Sequence, residues 1–329
     1  MARRPTVRRA LTKRLLVALG VSLAVGSCSG AGPTPRSSPI GLTCPVAVEV
    51  TSRSQSATGA YSAPSASGGD PPVTVTCAPA SGSTFPLGAT TVTCTATDTA
   101  NQTARCTFVV TVVLAPQLRV TNFLAFGDSL TAGAVIVGGQ LVVEPSVAYP
   151  TDLQRLLGQR YAAQHIVVDD DGLVGETAVQ GAMRLPGDLA SHRPDVVLLF
   201  EGINDLHGSL PDGGIPEALS GIRTMIQETR SAGIQILVGT LTPAEPGALL
   251  PETVALIAPF NAQLIPLAQA NGATVVDLHA AFLTDVPEWI GPDGLHPTVA
   301  GYAEMAQVFF SAIRTSFEGR VAAVSRFRR

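Results

Sequence analysis

Hydrophobic positions along this chain follow two different rhythms. From Cys44 to Val113 they come in short Val- and Thr-rich runs (VAVEV, VTVTC, ATTVTCTATD, CTFVVTVV), divided by clusters of Gly, Pro, Ser and Asp. No helical period runs through them, and such runs between turn signals predict a small all-β sandwich. After LAPQ (114–117) the texture changes, and apolar runs alternate with amphipathic segments. Strands are predicted at 119–126 (RVTNFLAF), 165–170 (HIVVDD), 195–201 (DVVLLFE), 234–240 (IQILVGT) and 273–278 (ATVVDL). Helices are predicted near 148–159, 177–191, 215–232, 251–271 and 298–317. Near-continuous apolar strands separated by helices imply a parallel sheet covered on both faces. Ligands of such sheets bind beyond the C-terminal strand ends.

The start of the chain has a third character. Residues 1–27 carry six Lys/Arg and no acid, and their apolar stretch LLVALGVSLAV is too short for a permanent membrane span. With VGSCSG after it, the segment resembles a bacterial lipoprotein signal, in which Cys28 carries lipid. The alternative is an ordinary signal peptide with an incidental cysteine. Both imply an exported protein, and the first anchors it at the membrane surface of the cell envelope. Residues 28–43, rich in Ser, Pro and Gly, read as a tether, and 319–329 as a tail.

Composition then excludes several classes. Of 329 residues 46% are hydrophobic and 14% charged, which is a globular balance. The formal net charge of −4 hides an asymmetry. Beyond residue 27 there are 15 arginines against 25 acids, a balance of −10 that suits no nucleic-acid backbone. Lys13 is the sole lysine, so Schiff-base and P-loop lysine chemistry are excluded from the rest. Four of the five cysteines (Cys44, Cys77, Cys94, Cys106) fall in the β-rich stretch, as two disulfides of an exported protein would. A zinc site there lacks both a C-x-x-C pair and a nearby histidine.

The segments CPVAVEV, VTCAPASGSTFPLGATTVTCTATD and CTFVVTV resemble a hyalin-repeat (HYR) module over residues 44–114. The resemblance implies an immunoglobulin-like sandwich of the kind used in adhesion or extracellular assembly. Sequence alone leaves three cysteine pairings open, and the one adopted as an expectation is Cys44–Cys106 with Cys77–Cys94.

AFGDSLTAG (125–133) places Ser129 directly after the first strand of the parallel sheet. A serine there is ordinarily a turn former or helix cap. To act as a nucleophile it needs a base, a group orienting that base, and donors for an oxyanion. In GPDGLHPTVAGYAEMA, Asp293 stands three residues before His296, close enough in one turn to hold Nδ1 and free Nε2. His165 and His192 precede their strands and lie at the wrong end of the sheet. His207 and His279 follow strands with an aspartate two residues back, and compete on proximity alone. For the oxyanion, EGINDL offers the Asn204 amide, DDDGLVGETA offers the Gly175 N–H, and Ser129 offers its own. Taken singly, Asn204 is a turn residue, Gly175 a loop glycine, and DDD lacks the spacing of a calcium loop.

Together, FGDSLTAG, GLVGET, GIND and DGLHP resemble the four blocks of the SGNH (GDSL) hydrolase family, in order and across residues 118–315. The resemblance implies a flavodoxin-like three-layer α/β/α domain (115–318) with a five-stranded parallel sheet. It also implies ester hydrolysis without metal or cofactor, with Ser129 as nucleophile, His296 as base and Asp293 orienting it. Ser129, Gly175 and Asn204 would line the oxyanion hole, and His296 is singled out because only it stands in a D-x-x-H block. The second block departs from the usual N-x-G-x-S-G, which puts that loop's shape in doubt. The expected substrate is a small-molecule, lipid or glycan ester. It would be of lipase, lysophospholipase or arylesterase type, or alternatively an acetylated carbohydrate. Residues 134–150 and 242–255 are loops that would wall the site. The remaining alternative is an adhesion or binding protein whose hydrolase-like domain only holds ligand.

Overall fold

A computed structural model of the chain describes residues 38–210, 212–247, 249 and 251–319. The signal-like segment, Cys28 and most of the expected tail and tether lie outside the described residues. The chain divides into two compact units whose boundary is not a single point. One holds residues up to Val46 with Ala60–Ser81 and Thr91–Val109; the other holds Ala47–Gly59, Gly82–Thr90 and Val110 onward.

Among the described residues, eight strands precede Ala115: β1 (Gly41–Thr43), β2 (Val48–Ser52), β3 (Ser56–Gly59), β4 (Ser65–Ser67), β5 (Thr74–Ala78), β6 (Ser83–Pro86), β7 (Gly88–Thr97) and β8 (Thr103–Leu114). In the first unit β1 pairs antiparallel with β4, and β5 pairs antiparallel with β7. Disulfides join Cys44 to Cys106 and Cys77 to Cys94, and the second pair are direct register partners across β5 and β7. In the second unit β2 runs parallel to the end of β8, and β3 pairs antiparallel with β6. The alternation of β7, with Val92, Cys94 and Ala96 buried and threonines outward, is the half-buried pattern its sequence predicts. Strands β1, β3, β4 and β6 have no such apolar pattern. The backbone ladder to a partner defines them, and single-segment periodicity does not register that.

The remaining strands are β9 (Asn122–Gly127), a hairpin of β10 (Ala134–Val137) and β11 (Gln140–Val143), β12 (Val167–Gly172), β13 (Val196–Phe200), β14 (Gln235–Gly239) and β15 (Thr274–Val276). Five of them form one parallel sheet in the order β12-β9-β13-β14-β15, the 2-1-3-4-5 order of flavodoxin-like folds. Every residue of β13 is buried, as a central strand covered on both faces requires. The principal helices are α2 (Tyr149–Arg160), α3 (Ala178–His192), α4 (Ile215–Ser231), α6 (Ile257–Ala270) and α9 (Val299–Phe317). The crossover through α2 steps one way along the sheet, whereas those through α3, α4 and α6 step the other way. Right-handed crossovers therefore put α2 on one face and the other three on the opposite face. On its face α2 packs against α9, with the Tyr149 ring stacked on Phe309 at 4.9 Å. The result is the three-layer α/β/α architecture.

Two expectations are corrected here. The helix predicted near 251–271 is two pieces, α5 (Pro251–Val254) and α6. The break falls where Pro259 has no N–H to bond the Ala255 carbonyl and its ring crowds that carbonyl. Part of the stretch read as a loop, 134–150, is the β10–β11 hairpin, turned by Gly138 and Gly139 at φ of 60° and 80°. Two consecutive positive φ angles are the requirement of a tight two-residue hairpin turn.

Candidate active site

Ser129 opens α1 (Ser129–Ala132), a single turn beyond the end of β9. The Asp128 carboxylate caps that turn by accepting the Leu130 N–H at 2.8 Å. The residue before Asp128 has to be glycine, since a Cβ on Gly127 would lie 2.2 Å from the Phe200 carbonyl oxygen and 2.3 Å from Thr131 Oγ1. The close fit of β9 against β13 thus sets the direction in which the chain delivers Ser129. From α9, the Tyr302 hydroxyl donates to the Ala134 carbonyl at 2.8 Å and reaches the Ser129 carbonyl at 3.5 Å.

His296 lies in the loop between α8 (Val286–Trp289) and α9. One Asp293 oxygen accepts the backbone N–H groups of Leu295 and His296, at 3.1 and 3.0 Å. Its other oxygen accepts His296 Nδ1–H at 2.6 Å, which assigns the tautomer and leaves Nε2 as an acceptor. That Nε2 is 3.1 Å from Ser129 Oγ, across a sequence separation of 167. Ser129 is 5% exposed and His296 6%, so the pair is largely shielded from bulk water. Burial alone would raise the Asp293 carboxyl, but the His296 hydrogen bond and the two backbone donors outweigh it and hold it below the ordinary carboxylate range.

The three expected oxyanion donors leave adjacent strands at one level. Gly127 is in register with Gly172 of β12 on one side and Phe200 of β13 on the other. The segments carrying Ser129, Gly175 and Asn204 therefore start side by side at the switch point of the sheet. Among the described residues, neither the Ser129 nor the Gly175 N–H donates to another protein group. The Asn204 amide gives one N–H to the Glu176 carbonyl at 2.8 Å, which ties it to the residue after Gly175 and leaves its second N–H. A cavity of about 380 Å³ opens beside Asn204, with Thr177, His207 and Leu210 in its walls.

Among the described residues, none of the competing histidines bonds to Ser129. His207 Nδ1 pairs with Ser209 Oγ at 2.8 Å, and the aspartate before His279 caps α7 (Leu278–Phe282). His192 pairs with Asp169 at 3.1 Å.

A buried acidic group beneath the site escapes sequence reasoning. Asp128 and Glu201 stand one step beyond the Gly127–Phe200 register pair, and each is 1% exposed. Burial first, then the charges of neighbouring carboxylates, raises both; Asp128 is pushed up to about 7, and Glu201 is raised well above its usual range. Glu201 accepts the Gly202 N–H at 3.1 Å, so it braces the turn that leads to Asn204. The signal available in sequence was an acid directly following an all-apolar strand, FEG, which periodicity treats as the strand's end.

Similarity to known proteins agrees with this geometry. The profile of the GDSL-like Lipase/Acylhydrolase family matches residues 125–304, and that of the HYR domain matches 41–112. An acetylxylan esterase from Xylanibacter ruminicola is 25% identical over 220 residues, 61% of this chain and 44% of that protein. The Thioesterase 1/protease 1/lysophospholipase L1 of Escherichia coli K12 is 29% identical over 186 residues, 54% of this chain and 75% of that protein. The crystal structure of a lipase/acylhydrolase from Enterococcus faecalis superposes with a TM-score of 0.50 at 24% identity, covering 60% of this chain and 97% of that one.

Proposed function

The chain belongs to the GDSL-like lipase/acylhydrolase family, and from that premise we propose that it is a serine esterase. Ser129 is its nucleophile, His296 its general base and Asp293 the group that orients the base. The observation carrying this reading is the 3.1 Å approach of His296 Nε2 to Ser129 Oγ, with Nδ1 held by Asp293 at 2.6 Å. His296 Nε2 takes the Ser129 proton as Oγ attacks the ester carbonyl, and the Asp293 carboxylate stabilises the imidazolium that forms. Charge developing on the carbonyl oxygen is met by the Ser129 and Gly175 N–H groups and the free Asn204 N–H. Each such donor is worth ~2.7–4 kcal/mol in the transition state of comparable sites. Nε2 then returns its proton to the leaving alcohol, and water activated by the same imidazole releases the acid.

The substrate we propose is a carboxylic ester with an apolar acyl or aryl part, of the lipase or lysophospholipase kind. Val137, Leu141, Val142 and Val143 stand exposed on the hairpin that follows α1, and Leu173 and Val174 stand exposed just before Gly175. Apolar side chains left in water beside a nucleophile favour an apolar ligand. The likeness to an acetylxylan esterase supports a second substrate class, acetylated polysaccharide. Residues 1–28 support export and anchoring through lipid on Cys28.

Fluorophosphonate labelling together with a chromogenic ester panel tests the reading. Wild type labels and hydrolyses, while Ser129→Ala and His296→Ala, both folded, do neither. Folded wild type that fails to label would leave a ligand-binding protein instead.

A further inference from the structure

Building on the esterase reading above, we infer that Arg184 is a positioning residue for the oxyanion hole. It holds the Gly175 loop in shape by clamping both of that loop's ends. The loop departs from the family's usual second block, and Glu176, at a position that block leaves variable, follows Gly175 directly. Arg184 Nε and Nη2 donate to the two Glu176 oxygens at 2.8 and 2.6 Å, a forked contact. The same guanidinium reaches Asp171, at the other end of the loop, with Nη2 on its carbonyl at 3.1 Å and Nη1 on its carboxylate at 2.8 Å. Residues 172–175 are therefore strung between two points fixed by one planar group. Nη1 also meets Asp188 at 3.1 Å, one turn further along α3.

The guanidinium itself is fixed. It lies 4.0 Å over the Phe126 ring, on the strand that leads to Ser129. The start of α3 is set by the reciprocal Thr177–Gln180 cap and by Asp205, which accepts the Ala178 N–H at 2.8 Å. Glu176 is 4% exposed, and its carbonyl holds the Asn204 amide. One cation thus links the segments of all three proposed donors. Without the fork, the buried Glu176 carboxyl would stand within electrostatic reach of Asp128 and Glu201 with no guanidinium to answer it, and the glycine-bounded loop is where the chain would yield. Lysine cannot replace the fork, because its ammonium makes no planar two-point contact.

The test measures kcat and KM on p-nitrophenyl acetate, the affinity of an alkyl boronate, and melting, in wild type, Arg184→Lys, Glu176→Gln and the double variant. Misplaced donors act in the transition state, so Arg184→Lys lowers kcat about 10- to 100-fold with KM within about threefold. Boronate affinity falls in parallel with kcat/KM. Glu176→Gln lowers kcat less and adds no further loss in the Arg184→Lys background. Folded Arg184→Lys and Glu176→Gln with kcat within twofold of wild type overturn the inference, as do losses confined to KM or melting. If Arg184→Lys does not fold, an unchanged kcat in Glu176→Gln overturns it alone. Wild type that neither hydrolyses ester nor takes fluorophosphonate overturns the esterase reading instead, and the inference falls with it.

Discussion

Residues 41–114 and residues 118–318 hold their shape by different means. In the first stretch the buried apolar side chains are Phe85, Val92, Cys94, Ala96, Phe108, Val110 and Val112, and two disulfides accompany them. In the second, one core takes residues from four of the five parallel strands and the five principal helices, with Val168 of β12 packed against it and no cysteine at all. A segment too small to bury much apolar area needs covalent help, while a longer one does not. Ser129, Gly175 and Asn204 follow the ends of strands that cannot shift without disturbing that core, and Asp293 and His296 stand on the loop that leads into α9. A rigid scaffold carrying function on its loops is what such chemistry requires.

Several experiments would break or sharpen this contrast. Ser129→Ala has the largest expected effect. It lowers kcat by about 10⁴-fold or more yet leaves melting unchanged, as ester kinetics and calorimetry would show. Removing Cys44–Cys106 costs about 4 kcal/mol in the chain-entropy picture and removing Cys77–Cys94 about 3, while ester turnover persists. Limited proteolysis under reducing conditions locates the loss within 41–114. Leu198→Ala, in the middle of fully buried β13, costs about 2–5 kcal/mol by denaturant titration and is indifferent to reductant.

Titration separates smaller terms. Asp128 and Glu201 are raised in the fold, so their contribution is fully present below the ordinary carboxylate range and is lost as pH rises toward 7. Melting temperature should fall across that window, and Glu201→Gln should flatten the fall. Glu318 has the opposite sign. Its hydrogen bond from Arg160 brings it down to about 2, so its stabilisation is present above the usual range and is lost as pH falls toward 2. Because the pair is partly exposed and screened, Glu318→Gln costs only about 1 kcal/mol at neutral pH. A wild type whose melting rises from pH 5 to 8 would contradict the burial account of Asp128 and Glu201.

Sequence carried the frame and the chemistry because both leave one-dimensional marks. VVLLF at 196–200, bounded by Asp195 and Gly202 and too short for a buried helix, reads as a covered strand, and D-x-x-H packs the proposed base and its orienter into one turn. The hairpin at 134–143 escapes the sequence because most of its apolar residues, Val137 and Leu141 to Val143, face water and resemble a lining loop. Arg184 left no mark either. Its partners stand 13, 8 and 4 positions away, and the Phe126 ring beneath it is 58 residues distant, so only the folded sheet assembles them. Glu201 and Asp128 likewise become neighbours through strand register, which pairs residues 73 apart.

Tyr302 fastens the last helix to the nucleophile turn, and the imidazole sits just ahead of that helix. Order of synthesis then matters. A nascent chain that has emerged only as far as residue 280 already contains the serine and every proposed oxyanion donor, but not the imidazole proposed to take the serine's proton. On the proposed mechanism, competence arrives only once the segment that carries His296 and Tyr302 has joined the sheet.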